Sequence, residues 1–298
     1  MNYRRTTTIP EALKYLEESR GTGLLIAGGT DVFPGLKSGK LTADVLIDIT
    51  SILGANKIEK ENGRLVIGCA ATLSEIIKSP LVRIHAPLLV NAAGKIGSVQ
   101  IRNIATLPGN VVTANPEADA AIALSVMEAL FCLEGINGNR TVSFEEMYNI
   151  SGGSVVKGTS EIVTKVFIPF QNDDEVSTFQ RIALRKAMSP AILNVGFMVK
   201  PQGEKVEWAR ISMGPVAPAV RRASKAETWL IGKTLSSDNI RHAAELALDD
   251  ANPVGNPFRG SHEYLLQVLS VLIERGLSEI AQAISARLNN KEPEVSES

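Results

Sequence analysis

Apolar and polar positions along the chain switch between helical and strand periodicity. Thr8-Ile9-Pro10-Glu11 has the form of a capping box with proline in the first turn; Ala12, Leu13 and Leu16 continue it as a helix and Gly21 ends it. Leu24 to Ala27 predicts a strand, Val32 to Leu36 a short helical stretch and Val45 to Ile49 the next strand, which together make a small βαβ-like unit. From Lys57 to Gly68 the alternation predicts a hairpin turning at Glu61-Asn62-Gly63. Thr72-Leu73-Ser74-Glu75 is another capping box, and Pro87 opens a helix through Leu88, Leu89, Ala92 and Ala93. An apolar helix over Glu117 to Glu128, a hairpin joining Leu130–Leu133 to Arg140–Val142, and a strand from Glu161 to Ile168 follow. The polar run Gln171-Asn172-Asp173-Asp174-Glu175 marks a boundary. Beyond it come three strands, Thr178–Leu184, Ala191–Lys200 and Val206–Met213, then helices over Ser224–Ile231, Ser237–Asp249 and Ser261–Arg275. The polar tail, residues 289–298, is expected to be disordered.

Two stretches do not fit regular core elements. Ile96 to Asp119 is dense in small and polar residues, yet Ile101, Ile104, Leu107, Val111 and Val112 recur often enough to predict a loop held inside the protein. Buried backbone groups must be paired, so such a loop needs its own turns, neighbouring chain or a polar ligand. It reads either as one wall of a cofactor site or as a long connection tucked under a domain. The second stretch, Leu24 to Val32, is an apolar strand that runs into Gly28, Gly29 and Thr30. Glycines there let successive amides point at one anion, with the Thr30 hydroxyl as an added donor. By itself Gly-Gly-Thr-Asp is more often an ordinary strand-ending turn than a phosphate site. Neither G-x-G-x-x-G nor G-x-x-x-x-G-K-[ST] is completed.

Taken together, the two stretches resemble the FAD-binding subunit of the molybdenum hydroxylases, the family of xanthine dehydrogenase and aerobic carbon monoxide dehydrogenase. Ala27-Gly28-Gly29-Thr30-Asp31 resembles the family's first flavin segment; Gln100-Ile101-Arg102-Asn103 with Ala105-Thr106 and Gly109-Asn110 resembles its second. Order and spacing match, and the similarity runs from the first helix to about Gly276. One departure stands out: where the family usually has Gly-Gly before Asn, this chain has Pro108-Gly109, and proline offers no amide donor.

The resemblance implies an α+β fold: a two-part FAD-binding domain of the vanillyl-alcohol-oxidase-like class over residues 1–170, divided at 55/56, and a smaller α+β domain with a three-stranded sheet and helices over 176–288. It implies flavin contacts from Leu25, Ile26, Ala27, Gly28, Gly29, Thr30, Asp31 and Val32, whose amides with the Thr30 hydroxyl face the pyrophosphate. The Asp31 side chain is expected to cap the following helix rather than face a phosphate. In the second segment, Thr106, Gly109, Asn110 and Asn115 are implied near ribityl or phosphate oxygens, and Asp119 suits a sugar hydroxyl or, alternatively, a helix cap. Ile96 and Val163 are implied against the ring or ribityl chain and Arg181 near the ring, where the family often carries lysine. Arg102 reads equally as a phosphate partner or as half of a buried ion pair pinning the loop. Arg185 and Lys186 read as solvated surface or as shaping the open side of the ring.

Composition narrows the partners. Hydrophobic residues make up 44% and charged residues 21%, and 31 Lys and Arg against 32 Asp and Glu leave a net charge of -1, with no concentration of charge toward nucleic acid or membrane. No charged-then-apolar leader and no membrane-length apolar run is present, so a cytoplasmic location is expected. Cys69 and Cys132 cannot hold a four-cysteine iron-sulfur cluster, and His85, His242 and His262 lack metal-ligand spacing, so no metal is expected in this chain. No nucleophile–base constellation is visible, and no catalytic residue is assigned.

The resemblance therefore implies an electron-transfer module of a heterotrimer: molybdopterin in a large subunit, 2Fe-2S clusters in a small subunit, FAD here, and an external acceptor such as NAD or a quinone. The alternatives are a stand-alone FAD-dependent oxidoreductase and a non-catalytic scaffold whose Pro108 has impaired flavin binding.

Overall fold

A computed structural model describes residues 1–148 and 152–289. Its chain begins with strand β1 (Asn2–Arg5), which the hydropathy pattern hides because all four residues are exposed. Helix α1 (Ile9–Glu18) buries Ala12, Leu13 and Leu16, as their spacing predicts. Its capping box is half made: the Thr8 side chain accepts from the Glu11 amide, but the Glu11 carboxylate reaches back to Thr7 rather than to Thr8. Strand β2 (Gly23–Ile26), α2 (Val32–Lys37) and β3 (Val45–Asp48) follow. The three strands form a parallel sheet in the order β1-β3-β2, so the glycine turn lies at the carboxyl end of β2. Brought against α1 with Cys69, Ala70 and Ile162, this sheet has its own small core.

The hairpin β4 (Ile58–Glu61) and β5 (Arg64–Gly68) turns through Asn62 and Gly63, both at positive φ, the geometry a two-residue hairpin turn demands. Helices α3 (Leu73–Lys78), α4 (Pro80–His85) and α5 (Pro87–Gly94) come next, α3 with the full Thr72/Glu75 capping box. The stretch expected as one buried loop contains α6 (Val99–Arg102) and α7 (Leu107–Val112), each opened by a hydroxyl cap, Ser98 and Thr106. Its inside–outside pattern also needs correction: Leu107 and Val111 are buried, but Ile101 and Ile104 are exposed. Helix α8 (Asp119–Val126) is buried along its whole length. Hairpin β6 (Leu130–Gly135) and β7 (Gly138–Ser143), short helix α9 (Phe144–Met147) and strand β8 (Glu161–Pro169) complete a five-stranded antiparallel sheet, β4-β5-β8-β6-β7.

Strands β9 (Val176–Ala183), β10 (Ala191–Gln202) and β11 (Lys205–Gly214) are the predicted three, joined at the edge by the two-residue β12 (Arg221–Arg222). Helices α10 (Ser224–Leu230), α11 (Ser237–Leu248) and α12 (His262–Asn289) cover one face. Helix α12 runs 28 residues, well past Arg275. Gly276 does not end it; a β-carbon there would stand 2.8 Å from a ring carbon of Phe197, so the glycine is a notch that lets helix and strand close. Asn289, placed with the tail by composition, is the last residue of α12, and 290–298 lie outside the described residues.

Helix α8 is the shared element. It packs in the core of the five-stranded sheet together with Phe179 and Met198 from the C-terminal sheet, and Ser125 and Ser212 share a buried hydrogen bond of 2.6 Å across that boundary. At its ends, Glu117 pairs with Arg259, and Glu128 with Arg210 at 2.6 Å. The polar residues before α8 are thereby fixed from both halves of the chain.

Candidate functional site

Strand β2 delivers the chain to Gly28 with Leu25 and, just beyond the strand, Ala27 packed against the small core, and there regular pairing stops. The amides of Gly28, Gly29, Thr30, Asp31 and Val32 find no acceptor among the described residues. Gly29 has φ of 68°, a reversal that turns successive amides toward one side. Such a run of free donors suits an anion, because amides left without a partner cost free energy wherever water is excluded. Asp31 departs from expectation. It already has helical angles (φ -107°, ψ -37°), whereas a side-chain cap needs an extended residue; its carboxylate is exposed and caps nothing.

The second stretch lies directly against the first. A β-carbon on Gly28 would overlap the Ile104 carbonyl oxygen and stand 2.9 Å from the Ala105 α-carbon. Reciprocal backbone bonds fix this contact from behind, Leu73 amide to Ala105 carbonyl at 2.9 Å and Leu107 amide to Ala71 carbonyl at 3.0 Å. Arg102 pins the loop, though not as an ion pair: its guanidinium donates to the Ile96 carbonyl at 2.9 Å and to that of Gly97 at 3.3 Å. The half-buried Ile96 thus has a fixed main chain.

The first turn of α7 has no amide to spare. Leu107 N–H is used on Ala71, Gly109 N–H donates to the Thr106 hydroxyl at 3.2 Å, Asn110 N–H to the Thr106 carbonyl at 3.0 Å, and Pro108 has none. This stretch therefore meets a ligand through side chains. The buried Thr106 hydroxyl keeps its proton to donate, and Asn110 holds a buried Oδ1 without a partner among the described residues. Asn115 is exposed, and its Oδ1 closes a turn by accepting from the Glu117 amide at 3.0 Å. Val163 points into the core of the large sheet, opposite Leu133.

Asp119 and Arg181 meet. Arg181 Nε donates to both carboxylate oxygens, at 3.1 and 3.0 Å, and its NH2 group donates to the Ser189 carbonyl. The pair is almost dry, with side chains 4% and 9% exposed. Burial pushes the Asp119 carboxyl up from its ordinary value, opposed by Asn194, Arg181 and Lys95. Asn194 was invisible to motif reasoning, although a lone asparagine inside the apolar run Ala191–Val199 is itself a signal, since a polar side chain there needs a partner. Lys186 and Arg185 are exposed, and Arg185 folds back on the carbonyls of Ala187 and Met188.

The residues present fit a flavin dinucleotide. A run of unpaired amides beside two glycines suits a pyrophosphate, the orphaned Asn110 oxygen suits a hydroxyl donor, and a carboxylate held by a cation suits a sugar hydroxyl.

Comparison with known proteins gives the same picture. Residues 1–171 match the family described as the FAD binding domain in molybdopterin dehydrogenase, and 178–280 match the CO dehydrogenase flavoprotein C-terminal domain. The glyceraldehyde dehydrogenase medium chain of Sulfolobus acidocaldarius is 29% identical over 282 residues, covering 94% of this chain and 98% of that one. The carbon monoxide dehydrogenase medium chain of Hydrogenophaga pseudoflava is 26% identical, covering 93% and 95%. A solved structure of carbon monoxide dehydrogenase from Hydrogenophaga pseudoflava superposes with a TM-score of 0.90 at 27% identity, over 95% of this chain and 98% of that chain.

Proposed function

Because the chain belongs to the family of FAD-binding medium subunits of the molybdenum hydroxylases, we propose that it is the FAD-carrying electron-transfer subunit of a multisubunit molybdenum-dependent dehydrogenase. The observation that carries the reading is the run of free amides from Gly28 to Val32, lodged against Ile104 and Ala105. When bound, FAD would supply the redox chemistry that links iron-sulfur clusters of a small partner subunit to an external acceptor.

The protein's part is to bind, orient and exclude water. The amides of Ala27 to Val32 and the Thr30 hydroxyl hold the pyrophosphate, with Leu25 and Ile26 fixing the strand beneath them. The side chains of Thr106, Asn110 and Asn115 serve ribityl and phosphate oxygens, Gly109 lets the backbone approach closely, and Asp119 accepts from a sugar hydroxyl. Ile96 and the main chain of Val163 flank the ring or ribityl chain, and Arg181 places a cation near the ring through its bond to Asp119. Residues 1–170 form the flavin unit and 176–288 the unit that closes it. The large molybdopterin subunit and the small 2Fe-2S subunit are the partners, in a cytoplasmic heterotrimer; among the described residues no helix is long and apolar enough to cross a membrane.

A visible spectrum of the purified chain, followed by release and identification of the chromophore, tests the binding. Oxidised-flavin bands with about one FAD per chain are expected, and reduction of that flavin on adding substrate to the complete complex tests the electron-transfer role. A colourless chain that takes up no FAD, alone or in its complex, would overturn the proposal.

A further inference from the structure

Asn194 is the fourth of the twelve residues of β10, between Leu193 and Val195, and all three are wholly buried. A polar side chain at that depth costs free energy unless its bonds are made. Its Nδ2 donates twice, to Asp119 Oδ1 at 2.7 Å and to the Glu117 carbonyl at 3.1 Å, so one amide closes the turn into α8 and fixes the carboxylate. Its Oδ1 has no partner among the described residues. Room for this amide comes from Gly214, its neighbour on β11, where a β-carbon would stand 2.9 Å from that oxygen. An apolar side chain of equal volume would fill the space without an orphaned acceptor, so packing alone does not account for an asparagine here.

From this geometry we infer that Asn194 is a positioning residue of the flavin site: it sets the orientation of the Asp119 carboxylate, and so extends the site into an inner strand of the C-terminal sheet. The inference rests on the reading of Asp119 as a flavin-binding group given above. Arg181 grips both oxygens through one nitrogen, while Asn194 takes Oδ1 alone. Oδ2 keeps the acceptor capacity that a ligand hydroxyl needs, and Asn194 decides which oxygen that is. The groups facing Asp119 are Arg181 from β9, Asn194 from β10 and Lys95 at the end of α5; Glu117, two residues before it, is engaged with Arg259. Since the Asn194 bond favours the ionised carboxylate, removing it moves protonation of Asp119 to higher pH.

The full chain carrying Asn194→Leu or Asn194→Ala tests this, with FAD affinity titrated by flavin fluorescence between about pH 5 and 8 and apo-protein stability followed in urea. Both variants are expected to bind FAD about tenfold or more weakly, and to release it at a higher pH than wild type. A merely structural role would lower the urea midpoint and leave that pH profile in place. If the leucine variant is too bulky to fold, the alanine variant decides. FAD affinity within about twofold of wild type across that pH range, alongside a marked loss in Asp119→Asn, would overturn this inference and leave the function above standing. An Asp119→Asn variant that binds FAD like wild type would remove Asp119 from the site and the inference with it. A wild-type chain that takes up no FAD would overturn both.

Discussion

Gly28 and Ile104 touch backbone to backbone, and at that contact the two stretches of the candidate flavin site are joined: a β-carbon on Gly28 would stand 2.6 Å from the Ile104 carbonyl carbon. Backbone cannot swing away as a side chain can, so Gly28→Ala must push the two stretches apart. Destabilisation of about 1–3 kcal/mol is expected, with a larger fractional loss of FAD affinity. Gly29→Ala is the control. Its clash, at 2.5 Å, is with the exposed Phe33 ring, which can rotate, and the strain comes from φ of 68°, a cost of about 1–2 kcal/mol. Urea unfolding of the apo-protein and FAD titration of both variants check the order, Gly28→Ala losing more flavin.

Arg181 and Asp119 form a pair that is expensive to break and of small net value intact. Taking both charges out of water offsets most of their attraction, which agrees with burial outweighing the ion pair at the Asp119 carboxyl. Arg181→Met leaves that carboxylate buried without its cation, an expected loss of about 3–5 kcal/mol. Arg181→Lys restores charge but cannot reach two carboxylate oxygens and the Ser189 carbonyl at once, so an intermediate stability is expected. Denaturation of the two variants, with Asp119→Asn as the second edge of a double-mutant cycle, measures the coupling.

Pro108 removes a donor where none is spare. In its place alanine would add one free amide to the first turn of α7, whose other amides are committed. Loss of proline's restraint on the unfolded chain predicts destabilisation of about 0.4–1 kcal/mol for Pro108→Ala. If the new amide faces a phosphate, FAD affinity rises, by about tenfold or more for a charge-assisted bond. Calorimetric titration of the apo-protein with FAD decides: unchanged affinity would show that this amide points elsewhere and that the proline costs the site nothing.

Sequence reasoning reached what local rules govern. Hydroxyl caps, the Asn62-Gly63 turn, the apolar faces of α1 and α5 and the apolar helix α8 follow from short spacings, and the structure has them. It failed where tertiary contacts override such rules. Strand β1 carries no alternation because all four of its residues are exposed, so neither face of it is buried. Gly276 signals a helix end locally, and only the Phe197 ring explains why the helix continues. Ile101 and Ile104 suggested burial by composition, yet α6 and the turn that follows it leave them exposed. In the candidate site, the glycines and Asp119 could be read from their order, whereas Asn194 could not be linked to Asp119 before β10 and α8 were brought together.

Asp48 ties the glycine-bearing sheet together and makes its stability pH-dependent. Its carboxylate accepts from the Tyr3 hydroxyl, from the Thr50 amide at 2.8 Å and from the Thr50 hydroxyl at 2.7 Å. Burial pushes the carboxyl up, but these bonds with Arg5 nearby outweigh it, and it titrates below the ordinary carboxylate range. A depressed folded-state value means that the unfolded chain takes up the proton first. The stabilisation is therefore fully present above the unfolded value of about 3.9 and is lost as pH falls through the folded one. Tyr3 and Arg5 are exposed, so screening limits the contribution to about 1 kcal/mol. Unfolding free energies at neutral pH should thus be about 1 kcal/mol lower for Asp48→Asn than for wild type, and the two should converge as pH drops from about 4 toward 2. Parallel curves would mean that the carboxylate bonds contribute nothing to holding β1 against β3.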